Sequence, residues 1–274
     1  MWTFTSDVEE YAAVAEPFLL GDPVRNTVAL TVLANLRAGM PAKGPRFGWW
    51  TVGGEVRGAV FHTPPHPLGL ADMPLEAVEP LLAALGDPAE VVGRVELTSE
   101  VKRLLGEPGR LVPERLYRLG ALAAPGTPGR GRLAAPADFP LLVSWYQAFA
   151  EEVRMGMGDD LAETVARRLA ARELFVWEAG EVPVSLAALS PAVGGVCRIG
   201  PVYTPPSCRR NGYGAAVTAY ASQVGLAERC DQVVLFTDLG NPTSNAVYQS
   251  IGYVPVSDYE HMTYDGSRSA GHRS

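Results

Sequence analysis

An apolar run over residues 198–204 is stopped by Pro205-Pro206 and followed at once by the loop RRNGYG. After the loop, Val217, Tyr220, Ala221 and Val224 recur on one helical face. Neither proline can donate to a sheet ladder, so the order here is strand, loop, helix. Gly212 and Gly214 at the first turn let backbone N–H groups come close to a ligand, and a helix start already favours anions through its unpaired donors and its dipole. Arg209 and Arg210 add fork-shaped donors suited to phosphate oxygens. The segment asks for a polyanion.

What is missing narrows the choice of polyanion. No Gly-Lys-Ser/Thr follows, so the Walker pattern fails, and Val217 stands where the dinucleotide fingerprint needs its third glycine or alanine. Taken alone, the loop reads equally well as an ordinary glycine turn before a helix. Further on, VVLFT (residues 233–237) reads as a short buried strand and residues 238–240 as a turn. Asn241 is then an N-cap with Pro242 at the first helical position. That helix carries Asn245 and Tyr248 and ends near Gly252, which suits a left-handed C-cap, and Tyr253 and Val254 open another extended segment.

Strand, RxxGxG, helix, strand and NxxSNxxYxxxGY, in this order and spacing, resemble the GNAT superfamily of N-acetyltransferases over about half the chain, roughly residues 131–264. The resemblance implies an α/β (α+β) fold with a mixed central sheet flanked by helices, acetyl-CoA as acyl donor, and no metal. It implies that the backbone of Val202, Tyr203 and Thr204 pairs with the pantetheine amides, and that Arg209, Arg210, Asn211, Gly212, Tyr213, Gly214 and Ala215 wrap the pyrophosphate. Asn241 and Asn245 would lie near the pantetheine or the adjacent helix start, and Tyr248 would point its hydroxyl at the sulfur. A phenol suits that place, because an amine attacking the thioester expels a thiolate that must be protonated. Tyr248 also reads as a helix residue packing on the sheet, and Tyr220 and Tyr213 read as packing or surface residues.

Upstream, residues 132–134 read as a strand and residues 137–153 as a helix with Phe139, Leu142, Val143, Tyr146 and Phe149 on its apolar side. Residues 159–172 read as a second helix, and residues 174–177 and 182–189 as a hairpin around Ala179-Gly180-Glu181. In the GNAT resemblance the two helices line the acceptor pocket. The attacking amine must lose a proton, and Glu152, beside Glu151, and Asp238 are the candidate bases, with a water chain as the alternative. Each carboxylate also reads as a solvated charge or a turn former. Met155 to Gly158 form a glycine- and methionine-containing loop beyond the first helix.

The first 122 residues repeat the order strand (1–5), two helices (from Ser6 to about Leu20 and from Asp22-Pro23 to about Leu36), hairpin (47–51 and 55–62), helix (74–85), strand (91–97), strand (115–122). After His62 the chain reads TPPHPLGLADMPLEAVEPLL, with neither motif, so a degenerate GNAT-like domain that does not bind coenzyme A is expected over residues 1–122. It would pack on the second domain and shape the acceptor site. AAPGTPGR (123–130) reads as a linker, 131–265 as the acetyl-CoA-binding domain and 266–274 as a disordered tail.

With 274 residues, 47% apolar residues and a mean hydropathy of +0.05, the chain can bury a sizeable core, yet no apolar run reaches the length of a membrane span. No signal peptide is read at the start. Three cysteines without CxxC spacing make disulfides or a zinc knuckle improbable, and His62 with His66 reads as coincidence, so a reduced cytoplasmic protein is expected. Only Lys43 and Lys102 of 23 basic residues are lysines. That bias follows base composition rather than nucleic-acid binding, which the net charge of −7 also opposes. The expected partner is a small-molecule amine, with no nucleic acid and no membrane; a homodimer is compatible with the sequence. Three classes remain: an N-acetyltransferase, a non-catalytic acyl-CoA sensor or partner module of the same fold, and a nucleotide-dependent enzyme using RRNGYG for ATP or NAD.

Overall fold

The computed structural model describes residues 1–153 and 161–264. The Met155–Gly158 loop, the start of the helix expected from Asp159, and the tail 266–274 lie outside the described residues. The chain folds as two compact units. The first comprises Met1–Leu116, Thr237–Gly240 and the chain from Val256 onward, and the second comprises Tyr117–Phe236 and Asn241–Pro255.

In the first unit the order is β1 (Trp2–Thr5), α1 (Val8–Leu19), α2 (Thr27–Arg37), β2 (Arg46–Val52), β3 (Glu55–His62), β4 (Leu68–Leu70), α3 (Val78–Leu85), β5 (Glu90–Arg94), α4 (Val95–Leu105) and the beginning of β6 (Arg110–Leu119). The second unit runs β7 (Arg130–Leu133), α5 (Phe139–Val153), α6 (Leu161–Ala170), β8 (Leu174–Ala179), β9 (Val182–Leu189), β10 (Val196–Tyr203), α7 (Tyr213–Glu228), β11 (Gln232–Asp238), α8 (Pro242–Ser250) and the beginning of β12 (Tyr253–Thr263). The two orders match element for element, and so does the pairing. Strands β2 and β3 are antiparallel, as are β3 and β4, while β4 and β5 are parallel. Likewise β8–β9 and β9–β10 are antiparallel and β10–β11 parallel.

Each unit closes its sheet with a strand from the far end of the sequence. In the first unit β12 lies antiparallel on β5, with Tyr259 opposite Arg94 and Thr263 opposite Glu90. There Glu260 is buried and accepts hydrogen bonds from Thr98 Oγ1 at 2.5 Å and Lys102 Nζ at 2.9 Å. In the second unit β6 is the neighbour of β11, and buried Tyr117 joins the core. The division into consecutive segments at 123–130 therefore differs from the compact units, because β6 and β12 each begin in one unit and end in the other.

Two local readings are corrected. Residues 95–97 continue as helix, not strand: β5 stops at Arg94, and Leu97, Val101, Leu104 and Leu105 then follow helical spacing. Arg94 makes no side-chain cap hydrogen bond, so the usual start signal is absent. The second helix starts at Thr27 rather than at Asp22, because Asp22 Oδ1 accepts from Arg25 N at 3.0 Å in a turn, and Asn26 spends its amide on Leu19 O and Asp72 N, both at 3.1 Å.

The core of the second unit sits under α7. Small residues on its buried face, including Ala216, Ala219, Ala221, Ser222 and Gly225, let the helix settle close to the sheet. A Cβ on Gly225 would stand 3.2 Å from both Leu189 Cδ2 and Val233 Cγ2. On the opposite face Leu142, Trp145, Tyr146 and Val165 of α5 and α6 pack with Leu174, Val176, Leu186, Ala188 and Tyr203.

The edge strand β7 is tied to the start of α5 by Arg132. Its Nη1 and Nη2 donate to Asp138 at 2.6 and 3.0 Å, its Nε donates to Glu178 at 2.6 Å, and Asp138 also accepts from Ala135 N at 2.7 Å. The guanidinium hydrogen bonds hold the Asp138 carboxyl below its ordinary range, although burial works against them. A depressed carboxyl contributes stability that is fully present above its unfolded value of about 3.9 and is lost as pH falls through the lower folded value. Arg132→Met should therefore cost about 1–2 kcal/mol at neutral pH, the partial exposure discounted. Urea unfolding of the variant and the native chain should converge in acid.

Candidate functional site

Strand β10 follows β11 in parallel register only from Val196 opposite Gln232 to Ile199 opposite Leu235. On its other side it stays with β9 to the end, at Val202–Ala187 and Tyr203–Leu186, after an irregularity between Ile199 and Val202. Gly200 to Tyr203 thus have a ladder partner on one side only within this unit, and the opposite edge is open to an extended ligand. Tyr203 is buried, its ring 6.2 Å from Trp145, and Thr204 Oγ1 meets Ser185 Oγ at 2.8 Å.

Past Thr204 a 3-10 turn over Pro206–Cys208 leads into the glycine loop. Arg210 has φ +66° and Gly212 has φ +78°, two left-handed residues that curl the loop's N–H groups inward. Gly212 is the N-cap of α7 and no side chain caps the helix. The first helical bond is Ala216 N to Gly212 O at 3.0 Å, so the N–H groups of Tyr213, Gly214 and Ala215 have no acceptor within the helix. Asn211 braces the loop, its Nδ2 donating to Cys208 O at 3.2 Å and Arg209 O at 3.1 Å. Gly214 lies close to the strand end; a Cβ there would stand 3.3 Å from Thr204 Oγ1.

Arg209 and Arg210 are exposed at this helix start. Arg209 Nε donates to Thr204 O at 2.9 Å and its guanidinium lies 5.9 Å from the Tyr203 ring centroid. Its Nη2 donates to Glu152 at 2.5 Å. One of the two expected bases is therefore engaged with the arginine expected at the pyrophosphate. The other, Asp238, ends β11 and groups with the first unit. It is exposed, and its Oδ1 accepts from Gly240 N at 2.6 Å in a turn. In that unit burial pushes the Glu114 carboxyl up; His261 opposes the rise and Asp238 adds to it.

Helix α8 is started by Asn241, whose Oδ1 accepts from Ser244 N at 3.1 Å. Asn245 donates to Asn241 O at 2.8 Å and accepts from the Tyr117 hydroxyl at 3.0 Å, so its amide serves the helix start and the strand beneath. Tyr248, half-buried, packs on the α7 core together with Val202. Its ring is edge-on to Tyr253 at 6.2 Å. Burial pushes its phenol up to about 12, which keeps the proton on oxygen at neutral pH.

Two arginines that the sequence did not single out, Arg168 and Arg198, lie on the α5–α6 side of the sheet. A charged residue inside the buried run VCRIGPVY was the available signal. Among the described residues no three His, Cys, Asp or Glu side chains are grouped to hold a metal ion, and no helix is long and apolar enough to cross a membrane. Cys197, Cys208 and Cys230 are free thiols.

An open strand edge runs into an uncapped, glycine-led helix start in an α/β fold, an arrangement that could take an extended anionic ligand. Residues 139–253 match the model of the acetyltransferase (GNAT) family, and this part of the chain is a domain of that family. The fold extends to both units. An acetyltransferase of the GNAT family from Colwellia psychrerythraea superposes with a TM-score of 0.65 at 10% identity, covering 97% of this chain and 100% of its own. A GCN5-related N-acetyltransferase from Sphaerobacter thermophilus gives 0.59 at 14% identity, covering 95% and 94%. A tandem GNAT protein from the clavulanic acid biosynthesis pathway gives 0.55 at 13% identity, covering 97% and 100%. At these identities the likeness is one of fold. No match is found among curated proteins.

Proposed function

We propose that the second unit binds acetyl-CoA and transfers its acetyl group to a primary amine by direct attack. The observation that carries this reading is the junction of the open β10 edge with the uncapped start of α7. The pantetheine amides pair along Val202 to Thr204, and the pyrophosphate takes the free N–H groups of Tyr213, Gly214 and Ala215 together with Arg209 and Arg210. Tyr248, still protonated, hands its proton to the departing thiolate. The proton lost by the amine goes to Glu152 or a water chain. Arg209 would exchange Glu152 for phosphate oxygens when the cofactor arrives, which frees the Glu152 carboxylate at that moment.

We assign cofactor binding to the second unit alone. In the first, the element equivalent to α7 is α3, which follows a 3-10 turn at Leu75–Ala77, carries Glu76 and Glu79 at its start, and has neither arginine nor left-handed glycine there. Negative side chains at a helix start occupy the favourable potential that a phosphate would use.

Following free thiol while acetyl-CoA is mixed with an amine panel tests the reading. Thiol release that depends on amine is expected. Calorimetry should give binding of acetyl-CoA and none of ATP or NAD. Binding without release under any amine would leave a non-catalytic acyl-CoA module, and ATP binding with no acetyl-CoA binding would sink the reading.

A further inference from the structure

Side chains alternate across a strand, and Cys197 and Ile199 of β10 enter the core beneath α7. Arg198 therefore stands on the other face of the sheet, the one covered by α5 and α6. Its Nη1 is shut off from solvent and donates to nothing, and no carboxylate among the described residues pairs with it. Arg168 of α6 is near enough to act on it: desolvation first, and then the positive charge of Arg168, push the Arg198 guanidinium down to about 10. Arg168 is anchored at the strand irregularity, donating from Nη1 to Gly200 O at 3.0 Å and to the Tyr146 hydroxyl at 3.4 Å. Its Nε is also buried without a hydrogen bond, 3.8 Å from Glu173.

Arg168 of α6 thus has the buried carboxylate of Glu173 beside it, while Arg198 of β10 has no carboxylate partner among the described residues. A buried cation without a partner is costly, and a packed apolar side chain at the same place is commonly as stable or more so. Unsatisfied buried donors mark a missing partner. With Glu173 set against Arg168, the Arg198 guanidinium keeps one positive charge without a counterpart, which matches a monoanion better than a phosphate ester. Guanidinium forks are shaped for carboxylate oxygens.

We propose that Arg198 and Arg168 bind the carboxylate of the acceptor, so that the amine acetylated here is an amino acid or another small amine bearing a carboxylate. This rests on the acetyl-transfer reading above for the identity of the ligand as acceptor. The site lies on the α5–α6 side of β10, and Arg168 grips Gly200 where β10 loses its ladder with β11.

The test compares amino acids, each with its decarboxylated analogue and its primary amide, by kcat/KM for thiol release from acetyl-CoA. Carboxylates should be preferred by at least about 100-fold, as expected when a buried charged partner would otherwise be left unpaired. Arg198→Met, which keeps the length of the side chain and removes the buried charge, should shrink that preference to within about 3-fold. The substrate comparison needs no variant and stands even if Arg198→Met does not fold. Equal turnover of an amino acid and its decarboxylated analogue, a preference untouched by Arg198→Met, or a preference for phosphoethanolamine over every carboxylate would each overturn the proposal. Calorimetry of the protein with the same amino acids separates the two readings. Arg198-dependent binding without thiol release leaves the anion site and removes acetyl transfer. Turnover of simple amines with no carboxylate binding does the reverse, and neither binding nor turnover removes both.

Discussion

Tyr248→Phe should lower kcat for thiol release by about 100- to 10,000-fold, the range contributed by a positioned proton donor, and change the Kd for acetyl-CoA by less than about 3-fold. The phenylalanine ring keeps the edge-on contact with Tyr253 and the packing on the α7 core, so only the hydroxyl is lost. The phenol's rise to about 12 comes from burial, which means that Tyr248 holds its proton across the working range and imposes no alkaline limb on kcat below about pH 11. Stopped thiol assays with calorimetry on the same preparation separate turnover from affinity. An unchanged kcat would remove Tyr248 as the acid and leave it a packing residue.

Gly212→Val should weaken acetyl-CoA binding by at least about 100-fold, the equivalent of losing one or two charge-assisted hydrogen bonds from the loop. Gly212 has φ +78°, a conformation that a β-branched residue reaches only with strain, and a Cβ there would stand 2.8 Å from Thr127 Oγ1. The substitution therefore uncurls the turn that aims the free N–H groups of α7. Gly212→Asn is the control, because it brings the same Cβ against Thr127 Oγ1 but tolerates the left-handed region, so that it isolates the backbone strain; it should bind acetyl-CoA with a loss of under about 10-fold. Calorimetry on folded protein, checked by thermal unfolding, reads both. Equal affinity in Gly212→Val and the native chain would separate the loop from the pyrophosphate.

Much of the second unit was legible because its signals are local. Pro205-Pro206 ended β10, the glycines and Arg209 marked the start of α7, and Asn241-Pro242 and Gly252 bracketed α8, each through backbone preferences acting within a few residues. In the first unit the local signals extend β5 into residues 95–97, since nothing near Arg94 marks a helix start. The candidate site divides in the same way. The loop residues stood out by type and spacing, whereas Glu152 meeting Arg209, 57 residues away, left no mark in the sequence. Arg198 was visible as a charge in an apolar run, but its neighbour Arg168 was an unremarkable residue on a polar helix face.

The sequence by itself determined the strand–glycine loop–helix unit, the tyrosine-bearing helix after it, and the absence of both motifs from the first half, because backbone geometry and helix starts are set by adjacent residues. Tertiary structure alone decided that β12 completes the first unit against β5 while β6 lies beside β11, and that Arg168 of α6 comes near Arg198 of β10, whose Nη1 is shut off from solvent. Strand alternation specifies a face and not a partner, and an uncompensated buried charge exists only after packing has excluded water from it.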